Sequence, residues 1–241
     1  MKVTVVLPAH NEAGNVGPLV AELMRVGDAS CVDLHVIVVD DGSIDNTRAE
    51  LAQLQLQYER LQVVQHPVNR GFATALKTGI AAACENGCDA AVFMDCDLSH
   101  RPSDLPKLID ALARGADLAL GSRFVPGGRM EGVPFWRVAI SHAGNAFGRI
   151  VLRVPFRDLT TGYRAVRRGV LETVALGTDG FAIQLESVVK AAAAGFRVVE
   201  VPITLETRRH GESHMRYTPA LIRDYWVLLL ACRRWLRHGR S

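Results

Sequence analysis

Val92-Phe93-Met94-Asp95-Cys96-Asp97 is the stretch from which the fold can be worked out, because an apolar run meets two carboxylates one residue apart. A short apolar run of this kind is typical of a buried strand. Side chains alternate between the two faces of a strand, so Asp95 and Asp97 are expected to leave its end on the same side. Oxygen ligands without a His or Cys partner favour Mg²⁺ or Mn²⁺ holding a phosphorylated substrate. The alternative at this point is that both aspartates only cap the next helix.

The same order of apolar run, polar loop and amphipathic segment occurs five times in the first 120 residues. The predicted strands are Val3 to Leu7, Leu34 to Val39, Leu61 to Gln65, Ala90 to Met94 and Leu118 to Leu120. This alternation predicts an α/β fold with a Rossmann-like, doubly wound, mostly parallel sheet flanked by helices. Ligands of such sheets collect at the carboxyl ends of the strands. The loops there, among them Pro8 to Glu12 and Asp40-Asp41, are therefore the candidate binding site.

The rhythm changes after about residue 122. A helix is predicted from Phe135 to Leu152, and its polar residues at intervals of four are Arg137, Ser141, Asn145 and Arg149. Residues four apart share one slowly drifting helix face, and the spacing alone favours an ordinary solvent-exposed face. Further along, the basic, glycine-containing stretch Arg208 to Arg216 is suited to hold phosphate.

The last segment, Thr218 to Leu236, mixes aromatic and aliphatic residues with arginines. It is too short to span a bilayer and too apolar to lie freely in water. Aromatic residues beside arginines predict an amphipathic helix at 217–241 that lies in the interface of an anionic membrane. The alternative is a helix that packs on its own domain or on a dimer partner.

Composition narrows the classes of protein that fit. With 49% hydrophobic and 22% charged residues, the 241-residue chain is globular rather than disordered. The first 120 residues carry 9 Lys and Arg against 16 Asp and Glu, whereas the remainder carry 19 against 9. This asymmetry favours one side that binds metal and nucleotide and another that receives anions. No apolar run approaches the roughly 20 residues of a membrane span, and five cysteines without zinc-type spacing favour reduced thiols in the cytosol.

Several loops, taken together, resemble those of one family. The matching stretches are Pro8-Ala9-His10-Asn11-Glu12, Val39-Asp40-Asp41-Gly42-Ser43, Asp95-Cys96-Asp97-Leu98-Ser99-His100, Gly121-Ser122-Arg123, Asp158 to Arg164 and Arg208 to Ser213. They resemble the family 2 glycosyltransferases of GT-A fold and, more narrowly, the dolichyl- or polyprenyl-phosphate mannose synthases. The resemblance implies metal-dependent, inverting transfer of mannose from GDP-mannose to a polyprenyl (dolichyl) monophosphate. It also implies a cytoplasmic protein, peripheral at the inner face of the membrane or held there by a membrane-anchoring partner, with no nucleic-acid ligand.

The resemblance further implies a role for individual residues. The donor nucleotide sugar would be bound by Pro8, His10, Asn11, Glu12, Val39, Asp41, Cys96 and Asp97. The metal, Mg²⁺ or Mn²⁺, would be held by Asp95, Asp97 and Ser99. The acceptor phosphate would meet Arg123, Arg137, Ser141, Arg208 and Arg216, and the catalytic residues would be Asp95, Asp97 and Arg123. Residues 1–216 would form the GT-A domain, with a nucleotide- and metal-binding half at 1–122 and an acceptor-binding half at 123–216.

Other functions remain open at this stage. Within glycosyl transfer, the alternative is a UDP-sugar donor, glucose or a related sugar, with polyprenyl phosphate or a cell-envelope glycan as acceptor. A signalling receiver domain also has an acidic pair after a buried strand, but it is much shorter and would leave Asp95 and Asp97 unexplained. A nucleotide-binding scaffold without catalysis does not account for the Asp-x-Asp motif either.

Overall fold

The computed structural model of the protein describes residues 1–30, 32–208 and 219–238. Its strands are β1 (Lys2–Ala9), β2 (Asp33–Asp41), β3 (Leu61–His66), β4 (Ala90–Phe93), β5 (Leu118–Ser122), β6 (Arg129–Glu131), β7 (Arg164–Arg167), β8 (Val198–Pro202) and β9 (Thr204–Glu206). Its helices are α1 (Val16–Ala29), α2 (Thr47–Gln57), α3 (Phe72–Glu85), α4 (Leu105–Ala113), α5 (Phe135–Leu152), α6 (Arg168–Thr173), α7 (Ala182–Ala193) and α8 (Pro219–His238). A 3-10 turn at Pro102–Asp104 precedes α4.

Seven strands form the central sheet in the order β3-β2-β1-β4-β7-β5-β8. Only β7 runs antiparallel to its neighbours in this sheet, whereas the other pairings are parallel. The predicted doubly wound, mostly parallel sheet is confirmed. The order reverses between β1 and β4, and a crevice opens at such a switch point beyond the carboxyl ends of the strands. The loops after β1 and β4 therefore meet where the sequence places Pro8 to Glu12 and the Asp-x-Asp motif.

Apolar residues on both faces of the sheet bury it between two helical layers. In β1, Val3, Val5 and Leu7 belong to the core that includes α1 and α4, whereas Val6 belongs to the core that includes α3, α7 and α8. Helix α3 lies close to the sheet, because a Cβ built on Gly79 would stand 2.3 Å from Cγ1 of Val6. Burial on both faces explains why this strand reads as a continuous apolar run rather than an alternating one.

The ends of several strands differ from the sequence prediction. Strand β1 continues through Pro8, which is in register with Val39, and β2 extends into Asp40 and Asp41. Strand β4 instead stops at Phe93, before the predicted end at Met94, and the Asp-x-Asp motif lies in the turn that follows. The turn is closed by Leu98, whose φ of 62° is in the left-handed region. Both aspartates nevertheless line the same cleft.

The two halves proposed from the sequence share this one sheet, because β7 from the second half lies between β4 and β5 from the first. Helix α8 packs on α7 and α5, and it buries Leu228, Leu229, Cys232 and Leu236 in the second core. One face of α8 therefore packs on the protein's own domain, as the predicted alternative to a membrane-bound helix stated. Within the described ranges, every helix falls short of the length or apolarity that crossing a bilayer requires.

Candidate active site

An open cleft of about 850 Å³ lies beyond the carboxyl ends of the central strands. Twelve of the residues predicted for the site line it, namely Pro8, His10, Glu12, Asp41, Asp95, Cys96, Asp97, Ser99, Arg123, Arg137, Ser141 and Arg208. Asn11 and Val39 do not line it, and Arg216 lies outside the described residues. The structure thus brings the predicted donor, metal and acceptor residues to one cavity.

Asp95 and Asp97 are held by backbone contacts in the turn after β4. Asp97 accepts a hydrogen bond from the Ser99 N–H at 3.0 Å, and the Asp95 N–H donates to Nδ1 of His100 at 3.3 Å. Burial raises the pKa of the Asp95 carboxyl above its ordinary value; His100 opposes this shift and the neighbouring charge of Asp97 adds to it. A bound cation would relieve that repulsion.

Two carboxylates suit a metal that arrives with its substrate. Among the residues that the structure describes, no group of three or more His, Cys, Asp or Glu side chains could hold a metal ion alone. Mg²⁺ is commonly held by one or two carboxylates together with substrate phosphates and water. Asp95 and Asp97, with the buried Ser99 beside them in the cleft wall, fit that second arrangement.

Arg208 contacts the donor side of the cleft rather than the predicted acceptor side. Its Nη2 donates to Oε1 of Glu12 at 2.8 Å, and its Nε lies 3.7 Å from Oδ2 of Asp97. Burial raises the pKa of Glu12, while Asn15 and Arg208 lower it. We refer to Glu12, Asp95 and Asp97 as the carboxylate cluster. In this arrangement, the Arg208 guanidinium partly neutralises the cluster.

Asp41 has little hydrogen-bonding capacity left for a ligand. Its carboxylate accepts from Nδ1 of His66 at 2.6 Å and from the N–H groups of Arg70 and Gly71 at 2.9 and 2.8 Å. His66 contacts Oγ1 of Thr78 at 3.1 Å through its other ring nitrogen. Asp41 therefore fixes the loop at the rim of the cleft. His66 was not predicted as a site residue, because its only signal in the sequence is its place just after a predicted strand.

Asn11 and Val39 support the structure behind the cleft rather than line it. Asn11 joins the first two loops, because its N–H donates to Oγ of Ser43 at 3.0 Å and its Oδ1 accepts from the Ile44 N–H at 2.9 Å. The Val39 side chain is fully buried in the core beneath α3. Their predicted donor contacts remain predictions, and neither side chain is placed in the cleft.

Arg123 and Arg137 lie on the predicted acceptor side, and we call them the arginine pair. They differ in the interactions that their guanidinium groups already make. Arg123 makes two hydrogen bonds of 2.7 Å to the fully buried carboxylate of Asp158 and one of 3.1 Å to Thr160. Arg137 stands over the ring of Trp136, and its buried Nε has no hydrogen-bond partner in the described part of the chain. Arg137 is thus the better placed of the two to receive an anion.

The polar stripe of α5 faces the cleft and the loop beneath it. Asn145 is buried, accepts from the Leu159 N–H at 2.7 Å and donates to Oγ1 of Thr160 at 3.1 Å. Arg137 and Ser141 line the cleft, and only Arg149 of the stripe is exposed. The solvent-face interpretation favoured by the spacing alone is therefore wrong, because periodicity identifies a face without saying which way it points.

Arg164 is a further residue whose place the sequence did not reveal. It is fully buried beneath the cleft, and its guanidinium donates to the carbonyl oxygens of Gln184 and Thr161 and to the Ser187 hydroxyl. Burial lowers its pKa to about 10, an effect that the charges of Asp158 and Asp95 oppose. A buried cation at this position fixes two loops of the cleft to one another.

The chain is similar to a known protein family and to several known proteins. Residues 4–175 match the model of Glycosyl transferase family 2. The polyprenol monophosphomannose synthase of Mycolicibacterium smegmatis is 39% identical over 215 residues, which is 88% of this chain and 80% of that protein. The undecaprenyl-phosphate mannosyltransferase of Micrococcus luteus is 38% identical over 89% of this chain and 88% of its own length.

Two further relatives extend the comparison. The dolichol-phosphate mannosyltransferase of Pyrococcus furiosus is 36% identical over 90% of this chain, which spans 60% of that longer protein. The UDP complex of glucosyl-3-phosphoglycerate synthase from Mycobacterium tuberculosis has a TM-score of 0.70 at 23% identity, covering 96% of this chain and 80% of that one, and it shows the shared fold. The resemblance to the polyprenyl-phosphate mannose synthases is confirmed, as is the prediction of a glycosyltransferase. The chain belongs to glycosyl transferase family 2.

Proposed function

We propose that the protein transfers mannose from GDP-mannose to a polyprenyl (dolichyl) monophosphate, with inversion at the anomeric carbon and with a divalent cation. Three relatives at 36–39% identity are named as enzymes that attach mannose to polyprenol, undecaprenyl or dolichol phosphate, which supports both the sugar and the acceptor class. The guanosine nucleotide rests on the resemblance of the loops to the polyprenyl-phosphate mannose synthases.

The buried Nε of Arg137 is the observation that carries the proposal. A guanidinium in a cleft wall whose buried Nε has no hydrogen-bond partner among the described residues is suited to a phosphate, which offers several acceptor oxygens. Ser141 follows one helical turn later on the same wall and can donate its hydroxyl. A carboxylate cluster and an anion-binding wall in one cleft match a reaction that joins a metal-bound diphosphate donor to a phosphate acceptor.

The proposed reaction depends mainly on positioning the acceptor phosphate against the donor sugar. The acceptor phosphate oxygen is already anionic near neutral pH, so no general base is required. Arg137 and Ser141 would hold this oxygen facing the anomeric carbon, whose bond to the donor diphosphate breaks as the new carbon–oxygen bond forms. Attack from the face opposite the leaving group inverts the configuration. A divalent ion on Asp95 and Asp97 would neutralise the departing diphosphate.

An exposed apolar face supports a peripheral membrane location. It consists of Phe135, Trp136, Ile140, Phe147 and Ile150 on α5 and of Trp226, Val227 and Leu230 on α8. The rings of Phe147 and Trp226 pack edge to face at 4.8 Å and join the two helices. Exposed apolar surfaces of this kind mark contact with a membrane or a protein. Because α5 also carries Arg137 and Ser141, a lipid phosphate could reach the cleft while its tail stays in the bilayer.

The test is incubation of the purified protein with Mn²⁺, a short polyprenyl monophosphate and, in parallel, labelled GDP-mannose or UDP-glucose, followed by organic extraction. We expect label from GDP-mannose alone in the organic phase, and chelation of the metal should abolish it. Label from UDP-glucose alone would keep the reaction type and replace the sugar and nucleotide. The assay is then repeated with the membrane fraction added. If neither donor gives extractable label under these conditions, the proposed acceptor is overturned.

A further inference from the structure

We propose that Gln184 is a specificity-determining residue whose side-chain amide binds a hydroxyl of the donor hexose, with the ring of Phe181 as the platform on which the sugar lies. The inference rests on the proposed function and deepens it, because it identifies the part of the cleft that distinguishes one sugar from another.

Gln184 and Asp95 converge on Gly162. A Cβ built on Gly162 would stand 3.0 Å from Nε2 of Gln184 and 3.1 and 3.2 Å from the two carboxylate oxygens of Asp95. All three residues line the cleft. If Asp95 holds the divalent ion that binds the donor diphosphate, the sugar bonded to that diphosphate would lie in this part of the cleft. The glycine leaves open the space that a side chain would fill.

The side-chain amide of Gln184 makes no hydrogen bond to any residue that the structure describes. The residue is only 7% exposed, and its polar side chain lines the cleft. Its backbone is fully engaged, because the carbonyl accepts from Nη1 of Arg164 at 2.7 Å and from Oγ of Ser187 at 2.9 Å. A polar group on a residue with so little exposed surface normally finds a partner. A sugar hydroxyl, which both donates and accepts, matches an amide that does the same.

Phe181 supplies an apolar surface next to this amide. Phe181 is 47% exposed and lines the cleft, and its ring stacks on that of Phe72 with centroids 4.8 Å apart. The Gln184 N–H donates to the Phe181 carbonyl at 3.2 Å, so the ring and the amide belong to one turn at the start of α7. Ligand pockets typically combine such aromatic surfaces with a few fixed polar groups.

Arg164 fixes the geometry of the subsite from below. By donating to the carbonyls of Gln184 and Thr161, it ties the start of α7 to the residue before Gly162. The backbone at Gln184 and the backbone next to Gly162 are therefore held in place before any ligand arrives. A site ordered in advance discriminates between sugars better than one that must be ordered by the ligand.

The decisive experiment compares Gln184→Met, which keeps the side-chain length and removes both hydrogen-bonding atoms, with Gln53→Met, the same change at an exposed position of α2. Calorimetric titration with Mn²⁺ present gives the affinities for GDP and GDP-mannose, and steady-state assays give kcat/KM. We expect unchanged affinity for GDP in Gln184→Met and a loss of about ten- to a hundredfold in kcat/KM with GDP-mannose. The Gln53→Met control should match the parent protein.

Mannose donors that each lack one hydroxyl identify the contact. The parent protein should lose activity with one of them, and Gln184→Met should lose no further activity with that same donor, because the contact is already absent. Equal losses in both proteins with every deoxy donor would overturn the proposal, and so would weaker binding of GDP itself. If UDP-glucose proves to be the donor, the proposed function fails, and the same comparison made with UDP and UDP-glucose still tests Gln184.

A second variant keeps the test independent of folding at the buried position. Phe181→Leu changes a half-exposed ring, and we expect a loss of about three- to tenfold in kcat/KM with unchanged binding of GDP. An unchanged kcat/KM in this variant would remove Phe181 from the subsite.

Discussion

The carboxylate cluster and the arginine pair line the same cleft, but their charges are held in different ways. Glu12 and Asp97 already contact a guanidinium, that of Arg208, and Asp95 lies near His100. On the other wall, Asp158 holds Arg123 through two hydrogen bonds, whereas the Nε of Arg137 has no partner among the described residues. On one wall, the carboxylates are thus partly neutralised by the Arg208 guanidinium. On the other wall, the Nε of Arg137 is available for a ligand.

From this difference we infer which residues would bind ligands and which build the site. A charge that is already satisfied by a buried partner supports the structure, as Arg123 does with Asp158. A charge that is repelled or unsatisfied is ready for a ligand, as the raised pKa of Asp95 and the unpartnered Nε of Arg137 indicate.

Replacing Asp97 should have the largest effect. Asp97→Asn keeps the acceptor for the Ser99 N–H and removes the charge, so we expect kcat to fall by about a thousandfold or more without loss of folding. The measurement is the steady-state rate with saturating Mn²⁺, together with the melting temperature. Asp110→Asn, on the exposed side of α4, is the matched control. A variant that kept most of its activity would remove the metal from the mechanism.

Breaking the buried pair on the other wall should cost stability. Asp158→Asn leaves the Arg123 guanidinium without its counter-ion, and we expect the free energy of unfolding to fall by about 3 kcal/mol. Denaturant titration measures this change. The control is Asp28→Asn, which breaks an exposed pair with Arg60 and should cost less than about 1 kcal/mol. Equal losses in both variants would show that Arg123 is not held by a buried charge.

Arg137→Gln should act on the acceptor rather than on stability. Because no described residue pairs with Nε, its removal leaves no buried partner behind, and we expect a rise of about ten- to a hundredfold in KM for the lipid phosphate. KM for the donor should stay the same. Arg149→Gln lies on the same helix at an exposed position and should change neither constant. A change confined to the KM for the donor would show that Arg137 does not bind the acceptor phosphate.

Much of the fold was predictable because its strands are buried on both faces. Continuous apolar runs located β1 to β5, and the observed bounds of α5 equal those predicted, Phe135–Leu152. The end of β4 was missed because pairing with β1 and β7 stops at Phe93, and local apolarity does not show where a neighbouring strand ends. Contacts between distant parts of the chain set that boundary.

The candidate site was predictable where residues follow strand ends and unpredictable where they lie beneath it. Loop position and the resemblance were enough to find Asp95, Asp97 and Arg137. His66, Arg164 and Gln184 were not assigned any role, because their importance depends on partners that are distant in sequence, such as Asp41 and Thr161. The direction of the α5 stripe was mistaken for a similar reason: spacing does not say which side of a helix covers a polar cleft.

The smallest effect is expected at the apolar face, which lies outside the chemistry altogether. Val227 is 62% exposed on α8, so Val227→Glu should leave folding intact and weaken partitioning onto vesicles with anionic lipids by about tenfold. Vesicle sedimentation measures this partitioning. Leu56→Glu introduces the same charge at a residue that is 83% exposed on α2, and it should bind vesicles like the parent protein. With a short, detergent-dispersed acceptor, both variants should keep full activity, because the cleft is untouched. Equal partitioning of the two variants would show that the apolar face is not the membrane contact, and the lipid phosphate would then have to reach Arg137 by another route.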